Sequence, residues 1–321
     1  MQSLPETMQA VSVREIGSFL FEQQALPQPR PGWSGLNGSK KEPAMRKTIL
    51  LLVISCLFMA APLFAANLTL PPELGATAQI LKTERDGLWE KSLIVKLNEP
   101  RHLLSTSDGI INGLGAINHA AHPLLWKKLA VELATKLQCG GKTYEQQRKG
   151  IIATKLGLQP ADLTLVGTAA DMDNLAVVTK QFPPFTVTAL VTAGAKSNAL
   201  RAGVDEGTNI EPSDPPAGTI NIIVLTNARL TDGALARAVV TITEAKTAAL
   251  EDLKVPSSYT KGVQATGTGT DSVIVVSGTS GPKVTYTGGH SRIGDLIAKA
   301  VHQAVLEALE KQNGFKLVKG T

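Results

Sequence analysis

"TINIIVLTNARLTDGALARAVVTITEAKTAAL", residues 219–250, carries the pattern that decides the architecture. Its first part, Thr219–Leu225, is short, rich in β-branched residues and apolar, and reads as a buried strand. The remainder changes period. Leu235, Ala238, Val239, Ile242, Ala249 and Leu250 recur at helical spacing, and Thr231 or Asp232 stands where an N-cap belongs. Glu244, on the opposite face, reads as a solvated helix residue. A buried strand that feeds an alanine-rich helix is a unit of a layered fold, because small side chains let the helix lie close on a sheet.

The same alternation extends in both directions. Ser92–Leu97 ("SLIVKL") alternates as a strand does, and "LTLVGTA", "FTVTALVTAG" and "DSVIVV" read as further strands. A helix is expected from near His119 to Gln138, on the spacing of Leu125, Trp126, Leu129, Ala130, Leu133 and Leu137. "KVTYTG" alternates and is expected to form a hairpin with "DSVIVV" across "SGTSGP". The last helix is the clearest, with Ile293, Leu296, Ile297, Ala300, Val301, Ala304, Val305 and Ala308 on one face. The expected fold is α/β or α+β: a single layered domain over residues 67–321, its mixed sheet covered by Ala-rich helices. "EPSDPPAG", Glu211–Gly218, is the strongest breaker and marks a loop inside it. The tail after Gly314 is expected to fray.

Composition narrows the function. The 321 residues are 43% hydrophobic and 18% charged, which suits a globular chain with a sizeable core. Aromatics make up only 4%, so Ala, Val, Leu and Ile must fill that core. The net charge of +5 is mild, and no basic cluster is interleaved with aromatics, so nucleic acid is not an expected partner. Two cysteines, Cys56 and Cys139, are too few for a disulfide framework or a zinc cluster.

The first 66 residues are read apart from the fold. Residues 1–44 show no sustained period. "MRKTILLLVISCLFMAAPLFAAN" then combines a basic start at Arg46 and Lys47, an apolar run from Ile49 to Ala61, and small residues at Ala65 and Ala66. Met45 is therefore the expected start and 45–66 the expected signal peptide. The mature protein would be exported, to a periplasm or beyond. An uncleaved anchor, the one membrane contact this reading allows, and a lipoprotein signal at Cys56 are the alternatives.

Three familiar motifs fail. "CGGKT", Cys139–Thr143, ends like a phosphate-binding loop, but Lys136 stands where its first glycine belongs and a helix precedes it. His119 and His122 in "HAAH" have metal-ligand spacing without further ligands beside them, so no metal is expected, only a helix start with two partly exposed histidines. There is no G-x-S-x-G elbow.

Four small polar turns lie beside strand ends instead. The first holds Ser105, Thr106, Ser107, Asp108, Asn112, Asn118 and His119; the second, Thr168 and Asp171. The third holds Thr192, Lys196, Ser197, Asn198 and Arg201. The fourth is "ATGTGTDSVIVV", Ala265–Val276, followed by "TGGHSRIGD" with His290. Glycines let a ligand approach the backbone, successive N–H groups make an anion nest, and a hydroxyl becomes a nucleophile beside a base. Asp271 and His290 are the bases at hand.

Taken in order, "STSDGIINGLGAINH", "VGTAADM", "VTAGAKSNALRAG", "GTINIIVLTNARLTDGALARAVVTITEAKTAAL", "ATGTGTDSVIVV" and "YTGGHSRIGDLIAKAV" resemble the adenosylcobinamide amidohydrolase family. The blocks span most of the chain from about residue 90 to 310, and the last three are the most specific. The resemblance implies hydrolysis of the amide that joins aminopropanol to a corrinoid side chain, giving adenosylcobyric acid in corrinoid salvage or remodelling. It implies a corrinoid small-molecule substrate and no cofactor of the enzyme's own, cobalt belonging to the substrate. A fainter resemblance of residues 220–276 to self-processing aminopeptidases bears on fold alone.

Amide hydrolysis needs oxyanion donors, a nucleophile or activated water, and an acid for the leaving amine. Asp271 or His290 is expected to activate water or the hydroxyl of Thr268 or Thr270. Gly267 and Gly269 amides are expected at the oxyanion, with Thr266 beside them. Ser105, Thr106, Asn118, His119, Thr192 and Asn198 are the expected substrate-binding residues. An exported corrinoid-binding protein, or a divergent amidohydrolase acting on another amide, is the competing reading.

Overall fold

The computed structural model describes residues 64–134, 139–207 and 217–317. Within them the strands are β1 (Phe64–Leu68), β2 (Ala76–Arg85), β3 (Leu88–Ser105), β4 (Gly109–Ala121), β5 (Leu163–Thr168), β6 (Ala176–Phe182), β7 (Phe185–Ala193), β8 (Ile220–Thr226), β9 (Arg229–Leu230), β10 (Ser272–Val276) and β11 (Lys283–Val284). The α-helices are α1 (Pro123–Glu132), α2 (Gly140–Leu156), α3 (Asp232–Asp252) and α4 (Arg292–Asn313). The result is an α/β domain built on one curled mixed sheet. Nine strands form it in the order β1-β2-β3-β10-β8-β7-β6, with β4 on the other side of β3 and β5 on β4.

β3 makes the curl. It is 18 residues long and shifts register against β4 between Lys96 and Arg101. Before that irregularity it pairs with β2; after it, Leu103–Ser105 pair with β10. Extra residues in one strand of a pair bend and twist it, so a single strand serves both halves of the sheet. The halves then face each other. Leu93, Val95, Leu97, Leu103, Ala116 and Val166 from one meet Leu190, Ile223, Leu225, Ile274 and Val276 from the other in a common interior.

Helices cover the two outer faces. Ala234, Ala238, Ala245 and Ala249 of α3, with Ala300, Ala304 and Ala308 of α4, pack on the outward residues of β7, β8 and β10. Ile152 and Ala153 of α2 pack on Ile94, Ile117, Leu163 and Leu165. The order of layers is helix, half-sheet, half-sheet, helix, which is why β8 is buried along its whole length. α3 starts where the sequence places it, with the Thr231 hydroxyl accepting from Ala234 N, and Ser291 caps α4 in the same way through Gly294 N.

Three expectations are corrected. β4 runs through Ala121, so His119 is a strand residue and fully buried rather than a partly exposed helix start. α1 begins only at Pro123, whose fixed φ suits a first helical residue, and the His122 side chain caps it by accepting from Leu124 N. "KVTYTG" does not form a hairpin with β10. Its Lys283–Val284 pair in parallel with β9, because Gly278 N and Gly281 N bond to Ala228 O and Asn227 O and carry the chain across that turn. α2, which opens at Gly140, was not expected at all. Its buried stripe of Tyr144, Arg148 and Ile152 mixes polar with apolar residues and hides the helical period.

The expected segments 1–44 and 45–66, apart from Phe64–Ala66, lie outside the described residues, as do most of the Glu211–Gly218 loop and the end of the tail. Phe64–Ala66 pair with Ile80–Lys82 as part of β1.

The close approach of α3 to the sheet gives a first test. Ala238 has no exposed surface, so Ala238→Leu forces extra volume into a filled layer and should cost about 1–3 kcal/mol, read from the urea midpoint.

Candidate active site

The N-terminal ends of β8 and β10 lie side by side, Ile222 opposite Val273 in a parallel pair. Asp271 stands just before β10, so its carboxylate reaches the first N–H of β8. Oδ1 accepts from Ile220 N at 3.0 Å and from the Thr268 hydroxyl; Oδ2 accepts from Lys246 Nζ at 2.5 Å and from Thr268 N at 3.3 Å. Lys246 comes from α3 and is 8% exposed. Gly267 packs against this ion pair: a Cβ there would lie 2.6 Å from Asp271 Oδ2 and 2.7 Å from Lys246 Nζ. Gly269 holds φ at 71°, a conformation that side chains resist. Both glycines of "GTGTD" lack room for a side chain, since a Cβ at Gly269 would lie 2.5 Å from Leu200 Cδ2, and Gly269 is needed for the turn as well.

The rim of this turn is polar and partly open. The Thr270 hydroxyl donates to Gly218 O at 3.0 Å, and Thr219 Oγ1 donates to Thr270 O at 2.7 Å. Asn198 Nδ2 donates to Gly218 O at 2.8 Å and to Thr270 Oγ1 at 3.3 Å, while Asn198 Oδ1 accepts from the Tyr259 phenol at 2.6 Å. Thr266 Oγ1 accepts from Ala202 N at 2.9 Å. Among the oxyanion donors expected from sequence, Gly267 N is already committed to Leu200 O at 3.3 Å. The N–H groups of Gly269 and Thr270 have no hydrogen-bond partner among the described residues, and Gly269 is exposed.

The other side of β8 faces the interior, as strand alternation requires. Asn221 Nδ2 donates to Asn118 Oδ1 of β4 at 3.0 Å and to Gly167 O of β5 at 2.8 Å. Asn118 Nδ2 donates to Thr192 Oγ1 of β7 at 2.8 Å. Asn118, Thr192 and Asn221 are all fully buried. The structure thus brings Asn118 and Thr192 into contact on one face of β8, and Thr266–Asp271 together on the other. Thr219 joins the two sets, donating to Thr270 O and lying 3.4 Å from Asn221 Oδ1. Ser105 and Thr106 are at the same edge. Thr106 exchanges hydrogen bonds with Val273 N and Val273 O at 3.0 Å each, and Ser105 Oγ accepts from Ser107 N.

The two imidazoles lie elsewhere. His290 is exposed on the turn before α4, and no hydrogen bond joins it to the Asp271 cluster. The same turn is held to α3 through Thr287, which bonds to Ala234 and Thr241. His119 belongs to a buried chain of side chains between β3, β4 and α2. Ser92 Oγ is 2.8 Å from Nδ1 and the Tyr144 phenol 2.8 Å from Nε2; that phenol donates to Glu90 Oε1 at 2.6 Å, and Arg148 donates to Glu90 Oε2 at 3.0 Å. Because the phenol proton goes to Glu90, Nε2 carries the imidazole proton and Nδ1 accepts from Ser92. Burial, reinforced by Arg148 and Arg85, holds the His119 pKa well below its ordinary value, so the ring is neutral.

Lys246, Asn221 and Tyr259 were missed by the sequence reading. Two of them leave a signal. Lys246 falls on the apolar stripe of α3 between Ile242 and Ala249, and Asn221 interrupts an otherwise apolar strand. A polar residue on an apolar face implies a partner. Tyr259 lies in an irregular loop with no period to break.

The adenosylcobinamide amidohydrolase family model matches residues 76–316. The adenosylcobinamide amidohydrolase of Methanosarcina mazei is 35% identical over 167 residues, 49% of this chain and 71% of that protein. An uncharacterized protein of Methanocaldococcus jannaschii is 42% identical over 249 residues, 73% of this chain and 92% of that one. Among solved structures, a protein of Pyrococcus horikoshii aligns over 77% of this chain and 84% of its own at 14% identity, with a TM-score of 0.35.

Two outcomes follow from these contacts. Asn221→Leu strands Asn118 Oδ1 and Gly167 O in the interior and should cost about 3 kcal/mol in urea unfolding. His119 binds its proton more readily unfolded than folded. Its contribution to stability is therefore complete above about pH 6.5 and is lost as pH falls below that value, at up to about 1.4 kcal/mol per pH unit. In His119→Gln, stability curves taken between pH 7 and 5 should be flatter than in the wild type.

Proposed function

This chain belongs to the adenosylcobinamide amidohydrolase family, a family of hydrolases, and we propose that it cleaves the amide joining aminopropanol to a corrinoid side chain, giving adenosylcobyric acid. The observation that carries the proposal is the span of the family match, residues 76–316, which includes every turn at the β8 and β10 ends. The local chemistry supports it. Attack on an amide carbon puts negative charge on the carbonyl oxygen, and that oxygen needs fixed donors. The N–H groups of Gly269 and Thr270, without partners among the described residues, sit on the partly open rim of a turn held rigid from behind. Asn198 and Thr270 offer a polar wall for the amide and for the amino alcohol hydroxyl.

Asp271 works as the anchor of this arrangement. Four donors occupy its oxygens, so its charge is spent on holding the turn against β8 and α3. Asp271→Asn keeps the shape but loses the charged bond to Lys246 and loosens the donors by fractions of an ångström. The expected fall in kcat/KM is about a hundredfold, the scale of one lost oxyanion donor. His290→Ala, remote from these contacts, should stay close to wild type.

The decisive assay is incubation of the purified full chain with adenosylcobinamide, with mass spectrometry of the products. Adenosylcobyric acid and free aminopropanol are the expected products. Co-elution of intact substrate without turnover would replace hydrolysis with corrinoid binding. Release of an amine from a different amide alone would identify a divergent amidohydrolase.

A further inference from the structure

A tyrosine at a protein surface ordinarily lays its ring on apolar neighbours and turns its hydroxyl to water. Tyr259 does the reverse. Its phenol donates at 2.6 Å to Oδ1 of Asn198, which is 3% exposed, while Tyr259 itself is 54% exposed. The polar tip is turned inward and more than half of the residue stands open. The exposed rings of Phe182 and Tyr286 are each covered by a cation: Arg292 lies 4.1 Å from the Phe182 centroid and Arg237 lies 5.5 Å from that of Tyr286. Among the described residues Tyr259 has no such cation and no aromatic partner.

The loop that carries this ring is clamped. Ser258 N donates to Ala199 O at 2.7 Å, and Ala199 N donates to Ser258 Oγ at 3.1 Å. On either side of Tyr259, the hydroxyls of Ser257 and Thr260 both donate to the Asp205 carboxylate, which also accepts from Arg201 N at 2.6 Å. The ring therefore has a set place, and that place is beside the "GTGTD" turn. Asn198 spans the gap, with Oδ1 on the phenol and Nδ2 donating to Thr270 Oγ1 at 3.3 Å. Leu200, two residues further, accepts from Thr266 N at 2.8 Å and packs its side chain against Gly269. One amide side chain thus separates the Tyr259 phenol from the turn that carries the Gly269 and Thr270 N–H groups.

We propose that Tyr259 is a specificity-determining residue, its open ring receiving the flank of the corrin macrocycle while the scissile amide lies at the Gly269 and Thr270 N–H groups. A corrin is a broad, shallow macrocycle with methyl groups on its faces and amide arms around its edge. The arm to be cut is short, so the macrocycle stays beside whatever borders those N–H groups. A fixed aromatic ring suits such a surface, because it offers a large, rigid contact at little entropic cost. A small amide without the macrocycle gains nothing from the ring, so Tyr259 selects substrates by what the acyl group is attached to. The inference rests on the corrinoid-amide reading of the preceding section and adds the part of the substrate that the ring holds.

The experiment titrates the full chain with adenosylcobyric acid, which keeps the macrocycle and lacks the scissile amide, and follows the corrin absorbance. Wild type, Tyr259→Ala and Tyr259→Phe are compared, with kcat and KM on adenosylcobinamide and Tm measured beside them. Tyr259→Ala should weaken binding and raise KM about tenfold at unchanged Tm, and Tyr259→Phe should stay within about twofold of wild type in both. The phenylalanine variant separates ring from hydroxyl. If Tyr259 served only to hold Asn198, Tyr259→Phe would fail as Tyr259→Ala does, and that result overturns the proposal. Unchanged corrinoid affinity in Tyr259→Ala overturns it as well. If Tyr259→Ala melts early, Tyr259→Leu, which keeps apolar bulk without the flat ring, takes its place, and wild-type affinity in that variant overturns the proposal. A wild type that binds the corrinoid but releases no aminopropanol overturns the hydrolase reading alone, since the titration still reads the ring. A wild type that binds no corrinoid overturns both.

Discussion

The fold turns on a bridge of buried amides. A sheet that curls until its halves face each other brings polar backbone from the unpaired side of β5 into the interior, where water cannot satisfy it. Asn221 meets that requirement by donating to Gly167 O and Asn118 Oδ1, and Asn118 passes the connection to Thr192. Strands β4, β5, β7 and β8 are joined by side chains where backbone pairing alone would leave the halves to slide. Such a network is costly if any member is missing and directional if all are present. It fixes where β5 crosses β8, and so where the polar turns collect.

Alternation along β8 then divides the labour. Ile220 offers its N–H to Asp271 at the helix-covered side, and Asn221 offers its amide to the interior. The two polar sets are therefore not one cluster but two faces of the same strand end. The outer one is built for rigidity: a carboxylate with four donors, a nearly buried lysine and glycines with no room for side chains. Rigidity behind the "GTGTD" turn fixes the direction of the Gly269 and Thr270 N–H groups, which have no partners among the described residues, and fixed donors are what stabilising a developing oxyanion demands.

Elements with a single clean period were legible in the sequence. α3 and α4 announce themselves by alanine-rich stripes and hydroxyl caps, and β7, β8 and β10 by short β-branched runs. The errors arose where tertiary contacts outvote local pattern. His119 looks like a helix start because Leu125 and Leu129 follow at helical spacing, yet pairing of His119 with Ser92 carries β4 two residues further. α2 escaped notice because its buried face holds Tyr144 and Arg148, whose polarity is cancelled by Glu90 and His119, residues distant in sequence. The site residues were legible as types and places, strand ends rich in Thr, Asn and Gly. Their partners were not, since nothing near Asp271 in the chain points to Lys246, and nothing near Asn198 points to Tyr259.

The contrast between two carboxyl groups shows what placement does to the same side-chain chemistry. Asp271, with an ammonium and three further donors, is held from every side, so its oxygens fix the turn that carries the Gly269 and Thr270 N–H groups. Glu145, partly buried against the Trp126 indole with Lys142 and Lys149 engaged elsewhere, has its carboxyl raised to about 7 by burial. A carboxylate resists movement when each of its oxygens is held by donors, and it is left to its surroundings when they are not. One group was given such partners and the other was not, and that difference is set by the placement of α2 and α3 on opposite faces of one curled sheet.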